Sequence, residues 1–155
     1  MVEIVKLDDK DLNSVAELSY MVGKLHDEAL PYIFKKTSKD EHLDILKNMQ
    51  KDEKVEIKIA KIGEEVVGFV CVGLVEEKRK GYKGEKIGVI YNLGVKEQYR
   101  KKGVGKKLVE EALKWCKEKE CYAVDLNVFW FNSGALEFYK NLGFGMIDVN
   151  LRKML

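Results

Sequence analysis

The spacing of apolar residues divides the chain into a helical opening, a middle where the period falls to two, and a closing half where strands and helices alternate. Residues 2–7 alternate and run into Asp8 and Asp9, which predicts a short strand followed by a helix start. Leu12, Val15, Leu18, Val22, Leu25 and Ala29 then recur at steps of three and four and give one apolar helical face, closed off near Pro31. A second helix fits residues 38–50, with Ser38 as its cap and Leu43, Leu46 and Met49 inward. Val55, Ile57 and Ile59 alternate with Glu56, Lys58 and Ala60, the pattern of a half-buried strand entering the turn Gly63-Glu64-Glu65. Residues 66–75 are apolar on both faces and belong in the middle of a sheet.

Residues 76–86 form a charged, glycine-punctuated connection. Lys78, Arg79, Lys80 and Lys83 could meet an anion there, but Glu76, Glu77 and Glu85 interleave with them, so a solvated hairpin tip is the better reading. An apolar strand over 87–95 is followed by a polar segment, 96–102, and by a helix whose buried stripe is Val104, Leu108, Ala112 and Trp115. Strand, loop and helix then repeat: a strand over 123–131, a short helix over 133–141 started by Asn132 and stopped by Gly143, and a closing strand over 144–154. This order implies an α+β (mixed α/β) sheet and not a doubly wound one. No repeat, linker or low-complexity stretch interrupts it, so residues 1–155 are expected to form a single domain.

Composition narrows the function classes. With 28 Lys and Arg against 26 Asp and Glu the net charge is +2, so nothing global argues for a nucleic-acid or membrane partner. The longest apolar run, 66–75, is 10 residues, short of the roughly 18 that suggest a membrane span. Cys71, Cys116 and Cys121 are odd in number and contain no C-x-x-C pair, and no secretory leader precedes them; reduced thiols in a cytoplasmic protein are expected. His26 and His42 lie far apart with no cysteine in ligand spacing, so no metal site is expected. Phe129-Trp130-Phe131 could stack on a ligand, although aromatics at a sheet end more often pack into the core.

The chemistry is concentrated between Asn92 and Leu108. A helix start leaves backbone N–H groups without partners and carries about half a positive charge, which makes it an anion site. Gly103 and Gly105 remove side chains that would hold a phosphate away, and Arg100, Lys101, Lys102 and Lys106 add charge around Val104, favouring a ligand with more than one phosphate. A nucleotide-hydrolase loop needs Lys-Ser or Lys-Thr after its last glycine; Gly105 is followed by Lys106 and Lys107. A dinucleotide fingerprint needs a third glycine where Leu108 stands, although Asp125 does fall near the expected distance. Glycines at a helix entry with an incidental basic cluster remain the bland alternative.

Arg100-x-x-Gly103-x-Gly105, after a strand and before an amphipathic helix, resembles the acetyl-CoA pyrophosphate motif of the GNAT superfamily of N-acetyltransferases. Asn132-x-x-Ala135-x-x-Phe138-Tyr139-x-x-Leu142-Gly143-Phe144 resembles the family's second motif. The likeness is close over 87–144 and, before that, one of element order only. It implies a GNAT-like fold, with helices on both faces of a mixed sheet and a splayed parallel pair around 93–95 and 124–130 that admits the pantetheine arm. It also implies acetyl-CoA as co-substrate and a primary amine, on a small molecule, peptide or protein, as acceptor; a homodimer is compatible with it. Strand-end N–H and C=O groups without a sheet partner can bond the arm's amides as another strand would. Leu93, Gly94 and Val95 are expected there, with Gly94 letting the strand bulge and splay.

An alkyl amine with a pKa near ~10.4 is almost wholly protonated at pH 7, a penalty of about 4.6 kcal/mol, so a base is needed as well as an acid for the leaving thiolate. By the resemblance, Tyr139 takes the acid's position, and Asn132 both caps its helix and bonds the pantetheine arm. The positions where many members carry a base hold Tyr91 and Asn127. Asp125, on the same strand face as Asn127, is then the candidate catalytic carboxylate, with Glu28 or a water chain as alternatives. This departure leaves open a non-catalytic acyl-CoA-binding or regulatory module of the same fold.

Overall fold

In the computed structural model, which describes residues 1–155, five strands lie in the sheet in the order in which they occur along the chain. β1 (Glu3–Lys6), β2 (Val55–Ile62), β3 (Glu65–Glu76) and β4 (Lys86–Val95) are antiparallel neighbours, and β5 (Ala123–Leu126) joins β4 in parallel. Helices α1 (Leu12–Ala29) and α2 (Lys39–Lys51) precede β2; α3 (Val104–Glu118) and α4 (Ser133–Asn141) flank β5 in sequence. The result is the mixed α+β sheet that the apolar spacing predicts.

β3 carries the core because its two faces bury different clusters. Phe69 and Cys71 point to the side of Leu12, Val15 and Leu46 from α1 and α2; Val70 and Val72 point to the side of Leu108, Val109 and Ala112 from α3. Phe69 and Leu108 are fully buried, and side chains of this kind contribute about 1.5–3 kcal/mol each. Helix starts follow the sequence signals. Ser38 and Glu41 form a reciprocal capping box on α2, and the Asn132 side chain accepts from the Ala135 amide at 3.1 Å.

Two expectations fail, and a third holds only in part, because the strand expected over 123–131 stops at Leu126. No strand forms over 144–154: residues 145–155 are exposed and make no backbone–backbone hydrogen bond. Ile147, Val149 and Leu151 do alternate with polar residues, but alternation describes one face only, and a strand also needs a ladder partner. The bulge is not at Gly94 either. Gly94 pairs in register with Phe69, whereas Cys71 opposes Asn92 and Val72 opposes Ile90, so the extra residue is Tyr91. Gly94 serves close packing instead: a Cβ there would stand 2.6 Å from the Phe69 ring and 3.1 Å from Val22.

Candidate functional site

The parallel pair is short. β4 stays paired with β3 as far as Val95, but its pairing with β5 ends at Ile90 and Leu126. β5 itself ends there, and residues 127–131 leave the sheet, so the other edge of β4 from Tyr91 onward faces no strand. Leu93, Gly94 and Val95 all lie on this stretch. Arg100 folds back over its end, with Nε donating to the Val95 carbonyl at 3.0 Å.

Beyond β4 a single 3-10 turn, Glu97–Tyr99, leads to the glycine loop. The turn is pinned from a distance. Lys96 Nζ and the Tyr99 hydroxyl both donate to the Glu65 carboxylate, at 2.8 and 2.9 Å. These bonds hold the Glu65 carboxyl below the ordinary carboxylate range, Lys96 contributing most, and Glu65 in turn raises the Tyr99 phenol. Lys101 and Gly103 then take left-handed backbone, with φ of 58° and 83°. For a lysine this conformation costs about 1–3 kcal/mol, the kind of local strain that concentrates at ligand sites.

Gly103 caps α3 and has no side chain to accept from the first turn. The first helical bond runs from the Lys107 amide to the Gly103 carbonyl at 3.1 Å, and the amides of residues 101–106 donate to no other group of the chain. Lys101, Lys102, Gly103 and Lys106 are exposed, Gly105 is half-buried, and the Val104 side chain is buried, leaving only its amide available. A row of free amides at a helix start, ringed by lysines, is an electropositive cradle for an anion.

α4 links this cradle to a cavity. A Cβ on Gly105 would lie 3.3 Å from the Phe138 ring, so the glycine lets α4 rest against the first turn of α3. The next residue, Tyr139, has its ring 5.0 Å from Phe138 and 5.6 Å from Phe144. Its hydroxyl bonds to nothing in the chain, and burial pushes the phenol up to about 12, so it stays protonated at neutral pH. Tyr139 and Asp125 line one cavity of about 800 Å³, walled also by Phe34, Phe129, Trp130 and Phe144. Asn132 does not line it; its observed role is the cap. Cys71 and Cys116 are buried thiols pushed up to about 12, which removes them as nucleophiles.

Behind β4, Ser19 Oγ lies 2.8 Å from His42 Nδ1, Thr37 Oγ1 lies 2.9 Å from His42 Nε2, and the Asn92 amide donates to Ser19 Oγ at 3.4 Å. Ser19 and Thr37 thus bracket the ring, one hydroxyl on each nitrogen. Burial holds His42 below its ordinary value despite the weaker pull of Glu41 and Asp27. The unfolded state therefore binds this proton at higher pH than the folded state. Its contribution to stability is complete above about pH 6.5 and falls as the solution is acidified. Thermal melts at pH 7.5 and 5.5 should show a smaller loss of Tm for His42→Gln than for the wild type.

Comparison with known proteins bears on this geometry. A model of the acetyltransferase (GNAT) family matches residues 20–144. N-alpha-acetyltransferase 30 of Xenopus laevis is 38% identical over 89 residues, 56% of this chain and 30% of that protein, so the chain spans less than a third of that relative. Among solved structures, a tetramutant of the BH1408 protein from Bacillus halodurans superposes with a TM-score of 0.89 at 22% identity, covering 99% of each chain. Aminoglycoside N-acetyltransferase AAC(6')-Iy, solved in complex with CoA, gives 0.83 at 16% identity, covering 100% of this chain and 95% of that one. At these identities the structural likeness is one of fold.

Proposed function

The chain belongs to the acetyltransferase (GNAT) family, and from that premise we propose that it transfers acetyl from acetyl-CoA to a primary amine by direct attack on the thioester, without a covalent enzyme intermediate. One observation carries the reading: the run of free amides at 101–106, with lysines around it, next to a β4 edge that has no partner. Those amides and the Arg100, Lys101, Lys102 and Lys106 side chains would hold the diphosphate. The edge of β4 along Leu93, Gly94 and Val95, where the Val95 carbonyl already accepts from Arg100, and the Asn132 amide nitrogen would hold the pantetheine arm. A relative solved with CoA shares the fold.

In this reading Tyr139 donates a hydrogen bond to the departing sulfur, and Asp125, in the same cavity, draws the acceptor's ammonium inward. The cavity also argues about the acceptor. Of its charged lining residues Asp125 and Asp148 are acids and Lys140 and Arg152 are bases, while most of the wall is aromatic or aliphatic. A polycation finds no net attraction there. An amine on an apolar body suits it, and the N-alpha-acetyltransferase relative points the same way; we take the acceptor to be a peptide or protein N-terminus with an apolar first side chain.

Thiol release from acetyl-CoA tests this with three separate acceptors: a peptide with an N-terminal leucine, a simple alkylamine and an aminoglycoside. Turnover is expected, and fastest with the peptide. Coenzyme A binding without thiol release from any acceptor would instead identify an acyl-CoA-binding module.

A further inference from the structure

We propose that His26 is the proton acceptor for the attacking amine, acting through Nε2; this deepens the acetyl-transfer reading and rests on it. The placement comes from α1, which touches both diverging strand ends. Val22 packs against Gly94 on β4, its methyl 3.1 Å from where a Cβ would stand. One turn later the His26 ring meets Phe129 and Phe131, beyond the end of β5, with both ring centroids 5.5 Å away, and Phe34 at 5.9 Å. Val22 and His26 therefore straddle the gap between β4 and the segment after β5, and Phe34 and Phe129 carry the His26 surroundings into the wall of the cavity that holds Tyr139 and Asp125.

The tautomer suits the role. His26 Nδ1 lies 2.9 Å from the Val22 carbonyl, which can only accept, so Nδ1 carries the hydrogen and Nε2 the lone pair. Nε2 has no partner in the chain, and no side-chain nitrogen or oxygen is sealed away unbonded, so it is open to an incoming group. Taking up a proton at Nε2 leaves the Nδ1 bond intact. The aromatic rings packed on the imidazole from other segments are those three phenylalanines. On its own helix Lys24 and Glu28 pair with each other at 3.8 Å, and Asp27 is buried. Glu28 is exposed on the solvent side of its helix, and of the cavity's acids Asp125 comes from β5 and Asp148 from the exposed C-terminal segment.

The protons balance. One leaves the ammonium for Nε2 and passes to solvent. The freed nitrogen lone pair forms the C–N bond at the thioester carbonyl carbon, the C–S bond breaks, and the second amine proton ends on the sulfur, beside the Tyr139 hydroxyl.

His26→Asn keeps a donor at the position of Nδ1 and removes the base, and His26→Gln does the same with a longer arm. Both are compared with wild type for coenzyme A affinity and for kcat/KM with the N-terminal leucine peptide and an alkylamine from pH 6.5 to 9.5. The expected loss is about 100-fold at pH 7, shrinking as pH approaches the amine's own pKa, with coenzyme A affinity within twofold. Wild-type turnover with variant profiles parallel to it at every pH, or within twofold of it at pH 7, overturns the assignment alone. Wild type that binds coenzyme A and releases no thiol overturns the transfer reading and the assignment together.

Discussion

Gly103→Glu should lower coenzyme A affinity by at least 100-fold in a protein that remains folded. Gly103 has φ of 83°, and nothing lies within 4 Å of where its Cβ would point. A side chain therefore meets no clash and costs only the left-handed backbone penalty, about 1–2 kcal/mol, against a typical domain stability of 5–15 kcal/mol. The functional cost is larger. Glutamate carries its carboxylate to the mouth of the amide row at 101–106, where it both satisfies those donors and repels a diphosphate. A 100-fold loss corresponds to about 2.7 kcal/mol, within reach of one misplaced charge among closely spaced donors. Gly103→Ala separates the two effects, because it has the backbone strain without the charge and should lose only a few-fold. Titration calorimetry with coenzyme A, beside thermal melts of all three proteins, reads both quantities.

Tyr139→Phe should reduce kcat about 100-fold while changing coenzyme A affinity by no more than threefold. The phenyl ring keeps its contacts with Phe138 and Phe144, and the missing hydroxyl breaks no bond within the chain, so stability should hardly move. What disappears is a donor beside the cavity. Because the phenol stands at about 12, giving its proton outright to a thiolate with an ordinary pKa near ~8.5 is uphill by about 5 kcal/mol. The hydroxyl therefore acts by hydrogen-bonding the sulfur as its charge grows, and it stays protonated from pH 6 to 9. The Tyr139→Phe profile should accordingly run parallel to wild type over that range. The His26 variants, by contrast, should converge on wild type as pH rises.

What could be read from the residues was what depends on local spacing. The steps of three and four in α1 and α3, the two-faced apolar run of β3, and the Ser38 and Asn132 caps each report on a few neighbouring residues, and each element formed where they put it. The glycine loop was legible for the same reason: its exposed amides follow from Gly103 and Gly105 at a helix start. Features that depend on pairing were not. The bulge at Tyr91 exists only relative to Cys71 and Val72 on another strand, and nothing in the spacing of β4 marks it apart from Gly94. The strand expected over 144–154 had the right alternation and no partner. Glu65 steadies the loop across 31 residues from Lys96, and His26 reaches the gap only because α1 crosses it. An isolated carboxylate and an isolated histidine carry no sequence pattern for such contacts.

A crystal structure with coenzyme A soaked in puts the proposed cradle to the most direct trial. The diphosphate oxygens should accept from the amides of residues 101–106, with the pantetheine arm running along Leu93 to Val95. Phosphates bound anywhere else, with those amides left as they are, would contradict the assignment of the loop and the acetyl-transfer chemistry built on it.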